Sequence, residues 1–256
     1  MEFINYLGQG NVVAFFLLLV RTSALMVFFP FFSHAQIPET VKMAVSLMLA
    51  IFLFPLVPPL DVSNLNVEYL VLEILAELLF GLCAGALLML VFAMLQLAGE
   101  QISMIMGFSM ATVMDPQSGI NSPLISNVLS LIVLTAFLMF DGHHLILAFL
   151  AHSVTLLPLG GFYPSENLLR YVMKGVANMF MFGFILSFPI VALSLLADFI
   201  FGMLMKTMPQ FNLLVVGFPI KITVAFVVLM AVISAIIKLF TTLITRVLND
   251  LPSLFF

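Results

Sequence analysis

Charged side chains are sparse along this chain, and where they are missing the sequence falls into apolar runs separated by short breaks rich in proline, glycine and polar residues. Between Glu77 and Glu100 lie 22 residues, Leu78 to Gly99, without a charge. That is enough for a helix to cross a hydrocarbon core, which needs about 20. Gly175 to Ala197, bounded by Lys174 and Asp198, is a second such run. Weaker runs cover 12–32 (interrupted by Arg21), 43–60, 124–140 and 222–245 (interrupted by Lys238). The pattern predicts an all-α polytopic membrane protein of about six long apolar helices arranged as hairpins, with 142–160 as an extra apolar segment.

The breaks carry recognisable turn chemistry. Pro55, Pro58 and Pro59 end the second run, and 61–66 (DVSNLN) is a turn before a helix restarts near Glu68. Residues 115–123 (DPQSGINSP) separate the third and fourth helices, and 157–167 (LPLGGFYPSEN) form the best internal boundary. This divides the chain into 1–167 and 168–256. The second part reads as one hairpin, 168–205 and 212–250, joined by 208–212 (MPQFN).

Composition agrees with a membrane location. Hydrophobic residues make up 64% and charged ones 8%, against roughly 45–50% and about 25% in soluble domains. The amino end carries Glu2 and no basic residue before Arg21, so it is not expected to be a cleavable signal peptide despite Ser33-His34-Ala35. Net charge is −4 with no basic tract, which leaves nucleic-acid binding without an electrostatic footprint. With helices alternating from an outside amino end, Lys42, Lys206 and Lys221 would lie inside and Arg170, Lys174 and Arg246 outside. The positive-inside rule therefore sets no orientation. The lone Cys83 sits in an apolar run, where it packs as a small hydrophobe.

Polar residues inside this apolar framework are the candidates for function. Gln96, Gly99, Glu100 and Gln101 have no use on a lipid-facing helix, and they lead into a loop containing Gly107, Ser109, Met110, Thr112, Met114, Asp115, Pro116 and Gly119. Non-helical backbone at membrane depth is tolerated only where protein buries it or it lines a cavity. Met104, Met106, Met110 and Met114 crowd the same region, and clustered thioethers make a soft, adaptable surface. Upstream, Gly81 and Gly85 form a GxxxG pair that lets two helix backbones approach closely.

Glu73 and Glu77 repel each other at i, i+4 with no cation three or four residues away; they read first as a solvated helix entry just before the apolar span, and alternatively as a pair whose cations another helix or subunit supplies. Arg21, Asp198 and Lys238 are ionisable residues within apolar runs and are expected to face protein or water. Without partners they would leave the isolated chain unstable. Asp141, His143, His144 and His152 are the only cluster of ligand-capable side chains. His144 and His152, eight residues apart, would share one helix face, but HExxH is absent and the single cysteine is distant in sequence. Asp141 and Gly142 read as a helix boundary, and no metal ligand or cofactor is assigned. No nucleophile has a base at hand, and neither a P-loop nor GxGxxG occurs, so no enzyme activity is expected.

The run QLAGEQISMIMGFSMATVMDPQSG, followed in order by SPLISN, DGHH, LPLG and MPQFNLLVVGFPIKI, resembles the FliR/SctT family of type III export-gate proteins. The resemblance covers nearly the whole chain, and the form Asp115-Pro116-Gln117-Ser118-Gly119 is closer to the flagellar branch. It implies a subunit of a helical multi-subunit gate in the bacterial inner membrane, at the flagellar basal body. The implied partners are FliP-like and FliQ-like subunits, an FlhB-like switch protein and unfolded export substrates. Residues 1–167 would be the FliP-like part and 168–256 the FliQ-like hairpin.

The family's pore plug maps onto Met106, Gly107, Phe108, Ser109, Met110, Thr112, Val113, Met114, Asp115, Pro116, Gln117 and Gly119. Met110 and Val113 stand where relatives often show Phe, so thioethers would replace an aromatic seal. Glu73, Glu77, Glu100, Asp198 and Lys221 become candidates for polar contacts between subunits. Three other readings compete: the equivalent subunit of a virulence injectisome, a small-solute transporter with helices broken near Pro189 and Pro219, and a metalloenzyme built on the histidines.

Overall fold

The computed structural model describes residues 9–29, 37–58, 67–107, 123–208 and 213–256. Within them the apolar runs become seven α-helices: α1 (Gln9–Val27), α2 (Glu39–Leu53), α3 (Val67–Ile105), α4 (Leu124–Met139), α5 (Gly142–Leu156), α6 (Glu166–Thr207) and α7 (Phe218–Phe255). No strand occurs among the described residues. The apolar segment expected at 142–160 is a helix, α5, and Asp141 stands at its N-cap position, the helix boundary that the sequence anticipates.

The charge-free runs understate the helices that contain them. α3, α6 and α7 hold 39, 42 and 38 residues, or about 58, 63 and 57 Å at 1.5 Å per residue. Each is roughly twice as long as the ~30 Å hydrocarbon core requires. α4 and α5, with 16 and 15 residues, are each too short to cross alone. Four helical segments among the described residues are therefore long and apolar enough to span a membrane, or five if α4 and α5 make one bent span. α6 runs unbroken through Pro189. Pro219 is the second residue of α7, in the first turn, where a missing N–H costs little.

The chain forms two compact units. One is drawn from Met1–Leu90, Leu138–Gly175 and Ile244–Phe256. In it α1 buries Ala14, Leu17, Leu18, Arg21 and Leu25, a three-and-four spacing that puts them on one helix face. That face packs with Ala50 of α2, Val154 of α5 and Leu159. Phe80 of α3 centres an aromatic cluster, with ring centroids 5.9 Å from Phe149, 5.4 Å from Phe162 and 5.0 Å from Phe255.

The glycine pair of α3 is where α1 comes closest. A Cβ added to Gly81 would meet the Cβ of Ala24 and lie 2.7 Å from the backbone nitrogen of Leu25; one on Gly85 would meet the Cβ of Phe28 and lie 3.2 Å from its Cγ. Such contacts leave no room for a side chain. Gly81→Leu and Gly85→Leu are each expected to cost about 1–3 kcal/mol or more through overpacking, whereas Leu87→Ile, a volume-conserving change on the same helix, should cost under about 1.5 kcal/mol. Native gels of the membrane complex read the difference as lost yield for the glycine variants alone. Normal yield from both would show that α1 and α3 do not meet there.

The other unit comprises Val91–Phe137 and Val176–Leu243. Phe92 packs edge-on against Phe137 at 5.6 Å and Phe240 at 5.0 Å. Gly183 of α6 lets Leu97 of α3 approach, whose Cδ2 would lie 2.8 Å from an added Cβ.

Candidate functional site

The polar residues that end α3 are structural clamps around the segment that follows. Gly99 faces Ser126 of α4 so closely that an added Cβ would sit 2.8 Å from the Ser126 nitrogen. The Ser126 hydroxyl donates to the carbonyl of Gln96 at 3.1 Å, and the backbone N–H of Ile125 donates to the Ser103 hydroxyl at 3.2 Å. On the other side the Ser187 hydroxyl of α6 donates to Oε1 of Gln101 at 2.5 Å. Glu100 accepts a hydrogen bond from the Gln96 amide at 3.2 Å. The end of α3 is thereby tied to the start of α4 and to the middle of α6.

Those ties join the described residues on either side of 108–122, Gln96 to Ser103 before it and Ile125 and Ser126 after it. Met106 is fully buried, and its N–H still donates to Ile102 at 2.9 Å. Gly107 then turns the chain out of the helix with φ +86, a left-handed conformation that glycine adopts without penalty. The ring of Phe218, at the start of α7, would lie 3.0 Å from a Cβ placed there. Of the proposed plug residues, Met106 and Gly107 form this stem. Phe108, Ser109, Met110, Thr112, Val113, Met114, Asp115, Pro116, Gln117 and Gly119 lie outside the described residues.

The candidate polar contacts fall into different environments. Glu77 is completely buried, and its cation comes from another helix of the same chain. Arg21 of α1 grips both carboxylate oxygens, through Nε to Oε2 and through its second terminal nitrogen to Oε1 at 2.8 Å. The first terminal nitrogen donates to the carbonyls of Ser153 at 3.0 Å and Leu157 at 3.3 Å. Gly160 N–H adds a bond to Glu77 Oε1 at 2.6 Å, and the guanidinium lies 4.7 Å from the centroid of Phe80. All three guanidinium nitrogens and both carboxylate oxygens are engaged, and such satisfaction is the condition under which a buried ion pair is tolerated. The expectation that Arg21 and Glu77 are unpaired charges within the chain is thus corrected: they neutralise each other across 56 residues of sequence.

Asp198 and Lys221 make a second pair, joining α6 to α7. Both carboxylate oxygens accept from the ammonium, at 2.8 and 2.7 Å, with the Lys221 side chain 8% exposed and that of Asp198 51%. In the other unit, the Tyr171 hydroxyl of α6 donates to Asp250 of α7 at 2.7 Å. α6 and α7 are therefore pinned to each other near both of their ends. Glu73 packs its stem on Gly160, where an added Cβ would lie 2.9 Å from the Glu73 Cβ. Among the described residues its carboxylate has no cation partner. Lys238 is exposed on α7.

Sequence reasoning did not single out Ser103, Ser126, Ser187 or Gly160. Serines buried in apolar helices were the available signal, since a buried hydroxyl has to find a partner. The expected histidine pairing also changes. Asp141, His143 and His144 bring ligand-capable atoms within 4.8 Å of one another, and His152 is not among them.

Comparison with known proteins gives a consistent result. A family model described as "Bacterial export proteins, family 1" matches residues 12–247. The chain is 34% identical over 226 residues to the "Flagellar biosynthetic protein FliR" of Bacillus subtilis (strain 168), covering 87% of each protein. It is 29% identical over 236 residues to the protein of that name from Escherichia coli (strain K12), covering 92% of this chain and 90% of that one. With the Aquifex aeolicus (strain VF5) protein of that name, identity is 30% over 204 residues, or 79% and 78% of the two chains.

Proposed function

The chain belongs to the bacterial export proteins, family 1, and from that premise we propose that it is a pore-forming structural subunit of the flagellar type III export gate. It assembles in the cell inner membrane with FliP-like and FliQ-like subunits and an FlhB-like protein, and helps to form and close the passage for unfolded substrates. The flagellar names of its relatives favour this branch over a virulence injectisome. The reading assigns it no catalysis; other components drive export.

The observation that carries the reading is the clamped stem of the 108–122 segment. The described residues that flank this polar, methionine-rich stretch of sequence are tied together by Gly99–Ser126 and Ser103–Ile125, and to α6 by Gln101–Ser187. A loop that only connected α3 to α4 would have no need of such anchorage. The two-part division, 1–167 FliP-like and 168–256 FliQ-like, is supported by the α6–α7 hairpin with its Asp198–Lys221 and Tyr171–Asp250 ties. Half-buried Glu73 and half-exposed Asp198 remain available for neighbouring subunits.

The rest of the surface supports assembly. α6 exposes Phe184, Phe188, Leu195 and Phe199 at 55–68%, an apolar face that needs lipid or partner helices. Expressed alone, the chain is expected to be degraded or to aggregate; co-expressed with FliP-like and FliQ-like subunits of the same organism, it should enter a discrete complex. A strain lacking it should make no flagella and export no flagellar substrates. Flagellated, motile cells without this chain would refute the proposal.

A further inference from the structure

At the turn joining α4 to α5, Asp141 is the single non-glycine residue with positive φ among those described, at 58°. Side chains enter that region at a cost, asparagine and aspartate least. It stands at the N-cap of α5, yet its carboxylate caps no backbone N–H there. Instead Asp141 Oδ1 lies 3.2 Å from Nδ1 of His144. The His143 ring lies beside that of His144, centroids 4.1 Å apart. Nδ1 of His143 is buried without any hydrogen-bond partner, an exception among buried polar atoms.

We propose that Asp141, His143 and His144 form a binding site for one divalent transition cation, with Zn²⁺ as the matching probe. Imidazole nitrogens and carboxylate oxygens bind zinc at about 2.0–2.2 Å, so two neighbouring ligands on one ion stand about 3.0–3.6 Å apart. The 3.2 Å between Asp141 and His144 is such a spacing. The third ligand atom lies within 4.8 Å of the others, close enough to join by side-chain rotation.

Two imidazoles and a carboxylate suit zinc, copper, nickel or iron, not the all-oxygen shells of calcium or magnesium. A helix N-terminus repels a cation, and the negative charge of Asp141 offsets that. The Asp141 and His144 side chains are 72% and 68% exposed, so the ion enters directly from water and keeps water at its open positions. Bound there, it fixes the strained turn residue to the first turn of α5.

The test uses the full chain purified in its membrane complex. After chelation, Zn²⁺ is titrated in and the retained metal counted per chain. The unaltered protein should retain one more ion than His144→Ala, and Asp141→Ala and His144→Ala should each weaken its affinity at least about tenfold. His152→Ala should bind like the unaltered protein. Because Asp141 and His144 are mostly exposed, their loss should leave complex yield unchanged, and yield is recorded beside the metal count. His143→Ala is read only if its yield is normal. Equal retention in all variants would mean an adventitious ion only, and no retained ion in the unaltered protein would equally overturn the site.

Discussion

Arg21→Met is expected to remove the chain from the membrane. Breaking a buried ion pair by deleting one partner costs about 3–5 kcal/mol, and whole domains are stable by only about 5–15 kcal/mol. The substitution would strand Glu77, fully buried, with a single remaining donor, Gly160 N–H. The chain level in membranes should fall to a small fraction of normal, with motility lost. Glu77→Gln should do the same, since the amide leaves the guanidinium uncompensated. Replacing both with apolar residues of similar volume is expected to restore most of the level, because removing both charges also removes their desolvation cost. Immunoblots of washed membranes measure all three. A normal level of Glu77→Gln would show that the pair does not hold this unit together.

Deleting residues 110–118 in frame should leave the gate assembled and make it leak. On the proposed reading Met106, Phe108, Met110 and Met114 close the passage as a dry constriction, which blocks ions by dewetting rather than by charge. Thr112, Asp115 and Gln117 hold the turn through side-chain to backbone bonds, and Pro116 and Gly119 shape it. The clamps at Gly99, Ser103 and Gln101 lie outside the deletion, so complex yield should be unchanged. Conductance of the reconstituted complex, or growth inhibition by salt, should rise above that of the intact gate at equal abundance. If the deleted complex leaks no more than the intact one, closure resides in a partner subunit.

The sequence showed the helices better than it showed what joins them. The run from Leu78 to Gly99 is legible because lipid and protein interiors both exclude charge. The start of α3 is legible near Glu68, but its far end at Ile105 is not, because the polar residues from Gln96 to Gln101 read as an exit from the helix. Gln96 to Gln101 stand out as misplaced on a lipid-facing surface, and the structure accounts for them through Ser126 and Ser187. Arg21 and Glu77 each look unpaired because their pairing is tertiary. No local pattern links positions 56 residues apart, whereas an i, i+4 pair such as Glu166–Arg170 can be read directly. The histidines show the same limit: helical spacing suggested His144 with His152, and a left-handed Asp141 gathered His143 and His144 instead.

The Arg21–Glu77 pair also sets a timetable for synthesis. An arginine within a membrane helix costs about 2.5–3.5 kcal/mol to insert, and Arg21 emerges from the ribosome well before its counter-ion. At about 5–20 residues per second, Glu77 follows 56 residues later, after roughly 3–11 s. The Ser153 carbonyl, 132 residues on, follows after roughly 7–26 s. During that interval α1 is a marginal membrane segment, retained at the insertion machinery or exposed to membrane proteases, and its commitment to the bilayer waits on α3.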